Sequence, residues 1–541
     1  MFLKPYLLIP CNSLLPRNWQ QALKDFMKIR IVTRTSLMAM AQAKTVARLL
    51  KKQYPDIETE LVGIVPIGDK DKTTPLPQMN VIGIFSKEID DHLLSGQIDC
   101  AVHSLKDLGT QRPDGIQRAA LLPRDDIHDI VLFHPDIETR LKAGQKIIIG
   151  TSAPRRAELL PSFLQKALPQ LGPLPEIELV PIRGNANTRI SKLLNPDQNL
   201  DGIVLALAGL ERLYNDDEAH EEITRLLKDL KRMVIPITVC PPAPGQGTVC
   251  IETLSSRADI KDIFKPINHT ATQSAVDDEY EILTMNGGGC HQRFGVVSLK
   301  LPNIDSNILL IKGKNKDGKD ISGLQWNPPE YKDQKDIWNG HDFADGIFIH
   351  EDIKHEPVKS SAVFVAHTRA FPKGVSRDKN IWVSGVKSWF KLASKGYWIE
   401  GCADSFGFEF IVPTLTSPVL QLPPLKSWDI LSHKHAEDTW HEGNFIATYS
   451  HQGKELSPKL VKTLQNADII WWASASQYEA LSHVLPAAYP QTHACGPGKT
   501  AEILVAQGVE PLYVFPNIDA MYRWIDDGTK QNSHPSNRRK S

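Results

Sequence analysis

The feature that most constrains this chain is a regular alternation of short apolar segments with helical patterns. The first pair is a predicted strand at residues 29–33, followed by a helix that Ser36 caps. Further strands are predicted at residues 60–65, 98–103, 146–150, 177–182, 202–207, 362–366, 380–385 and 468–474. Such alternation is typical of α/β domains with mostly parallel sheets, in which ligands collect where strands end and helices begin.

The size and charge of the chain exclude several classes of protein. A chain of 541 residues is too long for one hydrophobic core, and its length predicts three or four domains. Its 62 basic and 63 acidic residues give a net charge of -1, so we expect no nucleic-acid partner and no membrane partner. No apolar run reaches the roughly 18 residues that span a bilayer. Seven cysteines without a CxxC pair argue against disulfides and against a metal site, and they indicate a cytoplasmic protein.

Arginines at predicted strand-to-helix junctions are the densest chemical signal. They are Arg34, Arg155, Arg156, Arg183, Arg189 and Arg212. The planar fork of arginine binds a carboxylate at two points, and helix N-termini add backbone N–H donors. The pattern therefore predicts a substrate with several carboxylates. Ordinary ion pairs remain the alternative for each arginine taken singly.

The segment AVHSLKDLG, residues 101–109, places Lys106 and Asp107 in a loop directly behind a predicted strand. An aspartate that faces a cationic pocket stays ionised, and it can stabilise a developing positive charge or transfer a proton. A solvated turn is the alternative interpretation of the same residues.

A single cysteine, Cys290, lies in MNGGGCHQRFG, residues 285–295, between three glycines and a histidine. A zinc ligand is disfavoured because no partner stands at ligand spacing. An oxidation-prone surface thiol and a covalent nucleophile both fit a flexible, exposed loop. The residues alone do not choose between these two.

Six motifs in a fixed order resemble the hydroxymethylbilane synthase family, also called porphobilinogen deaminase, over residues 28 to about 345. They are VTRTSLMAMAQ (32–42), AVHSLKD (101–107), GTSAPRR (150–156), RGNANTR (183–189), PAPGQG (242–247) and GGCHQRFG (288–295). In this family four porphobilinogen molecules are condensed head to tail with loss of ammonia. The resemblance implies a dipyrromethane cofactor held by a thioether to Cys290.

The resemblance also implies a role for each candidate residue. Asp107 is expected to be catalytic, because it would stabilise positive charge on a pyrrole nitrogen. Cofactor binding is expected of Cys290, Lys106, Ser152, Arg155, Arg156, Arg183 and Arg189. Substrate binding is expected of Arg34, Ser36, Arg183 and Arg212. A solute-binding module without catalysis is the alternative, because the family shares its fold with periplasmic binding proteins.

Four positions depart from the family pattern. Ile82 replaces a basic residue of the family's lid loop, and Arg293 stands where proline is usual. Tyr280 replaces an arginine, and Ala153 stands where a serine is common. These departures bear on lid closure and on loop geometry more than on the chemistry.

The last third of the chain resembles uroporphyrinogen-III synthase in "IIWWASASQYEALSHVL" and "ACGPGKTAEILVAQGVEPLYVFP". The residues that match are Ser474, Ser476, Thr500 and, more loosely, Tyr449, with a comparable turn at residues 382–389. The resemblance implies cyclisation of the product to uroporphyrinogen III. A domain that kept this fold and lost the activity is an alternative. A P-loop at GPGKT is disfavoured, because His493 stands where its first glycine is required.

The resemblance implies two periplasmic-binding-protein-like α/β domains and a small α+β domain, followed by a shortened two-lobed α/β domain. The expected division is an N-terminal extension (1–26), deaminase domain 1 (27–122 and 247–267), domain 2 (123–246), domain 3 (268–345), a linker (346–357), the synthase-like domain (358–526) and a disordered tail (527–541). We expect a monomer.

Overall fold

The computed structural model of the chain describes residues 28–66, 86–288, 292–332, 334, 336–342, 344–485 and 491–533. The described residues form two compact units. The first unit contains residues 28–66, 86–123 and 248–272, and the second contains residues 124–247 together with those that follow residue 272. Among the described helices, none combines the length and the apolar character needed to cross a membrane. The expected extension over residues 1–26 lies outside the described part of the chain.

The first unit is built on a five-stranded sheet in the order β2-β1-β3-β10-β4. Its strands are β1 (Lys28–Arg34), β2 (Glu58–Ile64), β3 (Cys100–Ser104), β4 (Ile116–Leu121) and β10 (Val249–Leu254), and its helices are α1 (Leu37–Gln53), α2 (Lys87–Leu94) and α9 (Ala258–Phe264). Strand β1 is parallel to β2 and β3, whereas β10 is antiparallel to β3 and β4. Ile29 and Ile31 pack against Val46 and Leu50 of α1, which explains why that helix is apolar on one side.

The second unit begins with a sheet in the order β7-β6-β8-β5-β9. Its strands are β5 (Asp129–Phe133), β6 (Ile147–Gly150), β7 (Ile177–Val180), β8 (Gly202–Ala206) and β9 (Lys231–Ile235), and its helices are α3 (Ile137–Lys142), α4 (Pro154–Leu159), α5 (Pro161–Ala167), α6 (Ala186–Leu194), α7 (Leu207–Tyr214) and α8 (His220–Leu227). Strand β6 is parallel to β7 and β8, and β5 is antiparallel to β8 and β9.

The prediction of mostly parallel sheets is confirmed for β1–β3 and for β6–β8 but not for β5 and β10. Both antiparallel strands follow the points where the chain passes between the two units, near residues 124 and 247. Such a strand is not preceded by a crossover helix from its own sheet, so the local alternation gives no information about its direction.

A third, antiparallel sheet in the order β11-β12-β13 follows the helix α10 (Thr270–Met285). Its strands are β11 (Arg293–Leu299), β12 (Ile308–Lys314) and β13 (Gly323–Gln325). Phe294, Val296 and Ile311 pack on Ile282 and Leu283 of the helix. One helix packed on an antiparallel sheet gives this segment an α+β arrangement.

The C-terminal part forms two further α/β lobes. The six-stranded lobe, ordered β15-β20-β19-β16-β17-β18, contains β15 (Phe348–Asp352), β16 (Ala362–Val365), β17 (Asn380–Val383), β18 (Ile399–Cys402), β19 (Asp429–His433) and β20 (Asn444–Gly453), with α12 (Val386–Ala393) and α13 (Phe408–Leu415). The four-stranded lobe, ordered β14-β21-β22-β23, contains β14 (Ile337–Asn339), β21 (Ile469–Trp472), β22 (Thr492–Cys495) and β23 (Leu512–Val514), with α14 (Pro458–Gln465), α15 (Ala475–Leu481), α16 (Lys499–Ala506) and α17 (Ile518–Ser533). The short helix α11 (Ala344–Ile347) lies between β14 and β15.

Three segments differ from the expected division of the chain. Strand β14 lies within the segment expected for domain 3 but pairs with β21 of the four-stranded lobe. Strand β15, expected in a linker, pairs along the edge of the six-stranded sheet. Helix α17 continues to Ser533, beyond the expected start of a disordered tail. Edge strands and helix ends tolerate many polar residues, so composition alone does not reveal them.

One apolar core joins the sheet of β5–β9 to the six-stranded lobe. The Phe133 and Trp398 rings meet edge to face with centroids 5.4 Å apart, and those of Phe163 and Trp389 meet at 5.3 Å. Trp389 is fully buried, and its indole N–H donates to the carbonyl of Ala167 at 3.0 Å. The two segments therefore share one hydrophobic core and are not separate domains joined only by a linker.

Polar contacts close the same interface. The Asp404 carboxylate accepts from the backbone N–H groups of Ile237 at 3.2 Å and Thr238 at 3.0 Å. The guanidinium of Arg232 donates to the carbonyl of Val419 at 2.9 Å. Burial raises the pKa of Asp404, and these hydrogen bonds favour its charged form against that cost.

Candidate active site

In the first unit, two of the predicted site segments end at the same edge of the sheet. Strands β1 and β3 are parallel neighbours, so Arg34 at the end of β1 and Ser36 behind it share that edge with Lys106 and Asp107 behind β3. The hydroxyl of Ser36 accepts from the N–H of Ala39 at 3.3 Å and caps α1, as its position in the sequence predicts.

The loop that carries Asp107 is held from both sides. Gln42 of α1 donates to the Ser104 hydroxyl at 2.7 Å, and the N–H of Leu105 donates to the carbonyl of Thr248 at 3.0 Å. Leu105 is buried, Lys106 is half-buried and Asp107 is exposed. An exposed carboxylate on an anchored turn can meet a ligand without moving the backbone.

A buried ion-pair network lies beneath this edge. Arg112 contacts the carboxylates of Asp90 at 2.5 Å and Glu252 at 2.7 Å, and His103 stands 3.5 Å from Glu252. Asp90, His103 and Glu252 are near enough to one another to surround a metal ion. The guanidinium already pairs with both carboxylates, and burial lowers the pKa of His103. The network therefore ties α2 to the strands β3 and β10.

In the second unit, a second group of predicted residues shares a sheet edge. Strands β6 and β7 are parallel neighbours, which brings Ser152 behind β6 to the edge where Arg183 and Arg189 follow β7. All three side chains are half-buried. The guanidinium of Arg189 donates to the carbonyl of Gly184 at 2.8 Å, so the turn between β7 and α6 fixes its direction.

Arg155 and Arg156 have a different environment from the one the sequence predicts. Both are buried against Asp129, with N–O distances of 2.8 Å and 2.7 Å. Gln246 also donates to this carboxylate, at 3.0 Å. Burial alone would raise the pKa of Asp129, but the two guanidinium groups outweigh it and lower that pKa. The two arginines thus act inside the domain and do not present an open fork to a cofactor.

Arg212 is likewise engaged within the described structure. Its guanidinium donates to the carboxylate of Asp125 at 2.7 Å and to the carbonyl of Gly247 at 2.6 Å. The ordinary ion pair that was the alternative interpretation therefore fits Arg155, Arg156 and Arg212. Sequence reasoning overlooked Asp129, although an acidic residue at the start of the apolar strand DIVLF was a usable signal.

Cys290 and its neighbours Gly289 and His291 lie outside the described residues, but both ends of their loop are described. Gly287 and Gly288 have φ angles of 96° and 64°, a left-handed conformation that favours glycine. At the other end, a Cβ on Gly295 would lie 1.9 Å from the carbonyl oxygen of Pro241. Close packing of β11 on the 241 segment therefore requires glycine at this position.

Two departures from the family pattern have a structural account. Arg293 forms an ion pair with Glu158 of α4, which also accepts from Lys314 at 2.9 Å, so a polar clamp ties the start of β11 to α4. Ala153 occupies the N-cap of α4 and leaves that position without a side-chain hydrogen bond. Tyr280 lies half-buried in α10, and Ile82 lies outside the described residues.

Three of the four candidates in the C-terminal part come together. Strands β21 and β22 are parallel neighbours, and behind them stand Ser474 and Ser476 of the α15 start and Thr500 of the α16 start. The Ser474 hydroxyl caps α15 by accepting from the N–H of Gln477 at 3.3 Å. Tyr449 lies in the other lobe, is 6% exposed and has a pKa raised by burial.

The P-loop alternative is not supported by the local structure. His493 lies inside β22, where its Nδ1 accepts from the Trp472 indole at 3.0 Å, and burial lowers its pKa to about 4. No phosphate-binding turn can begin at this position, because it is part of a buried strand. The segment GPGKT instead opens α16, with Gly498 at the N-cap.

The two lobes meet at the ends that carry these residues. A Cβ on Gly498 would lie 3.5 Å from the Cα of Gly407, which follows β18. On the six-stranded side, the N–H of Ser405 donates to the carbonyl of Ser384 at 2.9 Å, which places the predicted turn at 382–389 beside this contact. The carboxyl ends of the two sheets therefore face each other.

Comparison with known proteins gives the relatives of the N-terminal part. A profile for "Porphobilinogen deaminase, dipyromethane cofactor binding domain" matches residues 29–262. A porphobilinogen deaminase of Syntrophomonas wolfei is 35% identical over 306 residues, which are 56% of this chain and 90% of that protein. One of Geotalea uraniireducens is 37% identical over 54% of this chain and 86% of its own length.

Solved structures resemble the chain more distantly. A periplasmic sulfonate-binding protein of Methylobacillus flagellatus is 14% identical over 48% of this chain and 73% of its own, with a TM-score of 0.25. The substrate-binding domain of a Clostridium difficile molybdenum transporter is 12% identical over 47% and 96%, with the same score. Scores at this level carry no argument about fold. The sequence match, in contrast, covers nine-tenths of a relative's length at 35% identity. The chain therefore belongs to the porphobilinogen deaminase family, with residues 29–262 matching its dipyrromethane cofactor-binding domain.

Proposed function

We propose that the chain is a hydroxymethylbilane synthase, which condenses four porphobilinogen molecules head to tail and releases ammonia. The observation that carries the proposal is the match over 90% of a porphobilinogen deaminase, with the six motifs in order. The geometry supports it, because Arg34, Ser36, Lys106 and Asp107 share one sheet edge.

The residues at the sheet edge of the second unit fit the carboxylates of a dipyrromethane group. Such a group carries several carboxylates, and the half-buried side chains of Arg183 and Arg189 share with Ser152 the sheet edge behind β6 and β7. The left-handed glycines Gly287 and Gly288 lead into the loop that carries Cys290. When bound, the group supplies the pyrrole carbon to which new units are added.

Asp107 is assigned the electrostatic part of the reaction. Loss of ammonia from porphobilinogen leaves an electrophilic methylene-pyrrole with positive charge shared onto the ring nitrogen. A carboxylate fixed on the turn behind β3 stabilises that charge before and after each carbon–carbon bond forms. Arg34 and Ser36, one strand away, are assigned to the acetate and propionate groups of the incoming substrate.

The cofactor assignment is tested by intact mass. Purified chain is expected to exceed its sequence mass by two deaminated porphobilinogen units, and the Cys290→Ala variant is expected to lack this excess. Cys402→Ala is the matched control, because that thiol is buried and burial raises its pKa. An excess that persists in the Cys290 variant would show another attachment residue. No excess in any variant, even after incubation with porphobilinogen, would reject the assignment.

The catalytic assignment is tested by ammonia release from porphobilinogen. Asp107→Ala is expected to abolish turnover, while the exposed Asp114→Ala is expected to behave as the unmodified protein. Unchanged release in the Asp107 variant would refute the role of this carboxylate. A chain without cofactor mass and without ammonia release would instead be a solute-binding module.

We also propose that the C-terminal part cyclises the product to uroporphyrinogen III. The observation that favours this is the pair of α/β lobes whose carboxyl ends face each other, with Ser474, Ser476 and Thr500 at one of them. Porphobilinogen turnover by the full chain should then give the type III isomer. Product of type I alone would mean that the deaminase works beside an inactive C-terminal domain.

A further inference from the structure

Four histidines of the six-stranded lobe come together although they are distant in sequence. We call His350, His433, His435 and His451 the histidine cluster. His350 of β15 pairs directly opposite His451 of β20, and His433 pairs with Tyr449, two residues before His451. Because side chains alternate along a strand, residues 449 and 451 point to one face. His435 follows in the turn directly behind β19.

The spacing of the rings matches that of imidazoles around one metal ion. Ring centroids are 4.6 Å apart for His433 and His451, 5.3 Å for His435 and His451, and 6.4 Å for His433 and His435. A zinc–nitrogen bond of about 2.0 Å puts the ring centroid about 3.2 Å from the ion, so two rings at a tetrahedral angle lie about 5 Å apart. The observed distances bracket this value. His350 is 6.1 Å from His451.

Three of these imidazoles, those of His433, His435 and His451, have no polar protein partner within the described ranges that explains the arrangement. Within the described ranges, the rings of His433, His435 and His451 make no side-chain hydrogen bond and no ion pair with a carboxylate. The Nδ1 atom of His433 is buried and lacks a hydrogen-bond partner among those residues. A buried polar atom of this kind costs free energy unless a ligand satisfies it.

The cluster also lies where this type of fold binds ligands. In the order β20-β19-β16-β17-β18, strands β17 and β18 lie on one side of β16, and β19 and β20 lie on the other. This is the topological switch point of the parallel sheet, and His433 and His451 are at or near the carboxyl ends of their strands. His435 is exposed, which gives an ion a path from solvent.

We propose that His433, His435 and His451, with His350 as a fourth ligand, bind one divalent transition-metal ion. Zn²⁺ fits best, because imidazole is a ligand of borderline softness and the set includes no hard carboxylate ligand. Rotation of a histidine about its Cβ–Cγ bond hardly moves the ring centroid but changes which nitrogen faces the centre. Each ring can therefore turn a nitrogen toward the ion while the backbone stays in place. The site is separate from the deaminase chemistry proposed above.

The test uses the full chain without an affinity tag, stripped with a chelator and titrated with Zn²⁺ in a calorimeter. The unmodified chain is expected to bind one equivalent. The double variant His433→Ala/His451→Ala is expected to bind at least tenfold more weakly. His483→Ala, an exposed histidine of the four-stranded lobe, is the matched control and should bind as the unmodified chain does. Equal binding by the double variant, or none by the unmodified chain, would overturn the proposal.

A second measurement does not depend on the folding of a variant. Cobalt in place of zinc gives intense visible absorption in a four-coordinate site and weak absorption when it stays six-coordinate. The unmodified chain with one equivalent of Co²⁺ is expected to show the intense bands, and added Zn²⁺ should remove them. A weak six-coordinate spectrum would contradict the proposed ligand set.

Discussion

Replacement of Trp389 by alanine should uncouple the deaminase part from the C-terminal lobes. The indole is fully buried, packs on Phe163 and donates to the carbonyl of Ala167. Truncation of a buried tryptophan costs about 3–5 kcal/mol, and the unsatisfied carbonyl adds about 1 kcal/mol. A loss of about 4–6 kcal/mol is a large part of the stability of a typical domain, which is about 5–15 kcal/mol.

Calorimetry and urea unfolding measure this effect. The unmodified second unit should unfold in one transition, because one core spans both segments, and Trp389→Ala should split that transition in two. Trp389→Phe keeps an aromatic ring but loses the donor and part of the buried volume, so it should cost less, about 1–3 kcal/mol. Trp338→Ala removes an equally buried indole from the other lobe and should not detach the deaminase part. An unsplit transition with a loss below about 1 kcal/mol in Trp389→Ala would refute the shared core.

Three further predictions concern buried groups. Asp129→Asn leaves its two arginine partners uncompensated, so it should lower the free energy of unfolding by about 3–5 kcal/mol, measured in urea; a loss under about 1 kcal/mol would contradict the buried pairing. Gly295→Ala brings a Cβ into the carbonyl of Pro241, so it should lower the free energy of unfolding by about 1–3 kcal/mol. It should also reduce the fraction of chains that carry the cofactor, measured by intact mass. Normal loading with unchanged stability would show that β11 can shift. Burial raises the pKa of Glu400 from 4.5 to about 7, so the folded state holds its proton more tightly and stability should fall as pH rises from 4.5 to 7, by at most about 3 kcal/mol. Glu400→Gln should remove this slope, and an unchanged slope would assign it to another group.

Local patterns predict many of the strands and helices, because hydrophobic periodicity depends only on residues that are close in sequence. Strands β1, β6 and β16 lie where the alternation places them, and Ser36 caps the helix expected behind β1. The directions of β5 and β10 and the strand in the expected linker depend on distant partners. No window of sequence contains that information.

The same limit applies to the site. The sequence predicts the same ligand-binding role for six arginines at strand-to-helix junctions. Arg155 and Arg156 instead pair with the carboxylate of Asp129, which precedes them by about 26 residues. Ligand spacing does not predict the histidine cluster for the same reason, since its members come from β15, β19, β20 and a turn. Ligand spacing in sequence identifies sites built on one loop or helix, whereas these residues are brought together by strand pairing.

The shared core also has a consequence for synthesis on the ribosome. The indole of Trp389 lies 222 residues beyond the Ala167 carbonyl that it contacts. At a translation rate of about 5–20 residues per second, the segment with Phe163 is synthesised roughly 10–45 s before its packing partner. During that interval an aromatic surface is open to water and to other nascent chains. Expression of the chain should therefore depend on chaperones that shield apolar surface, more than expression of a deaminase that ends after its third domain.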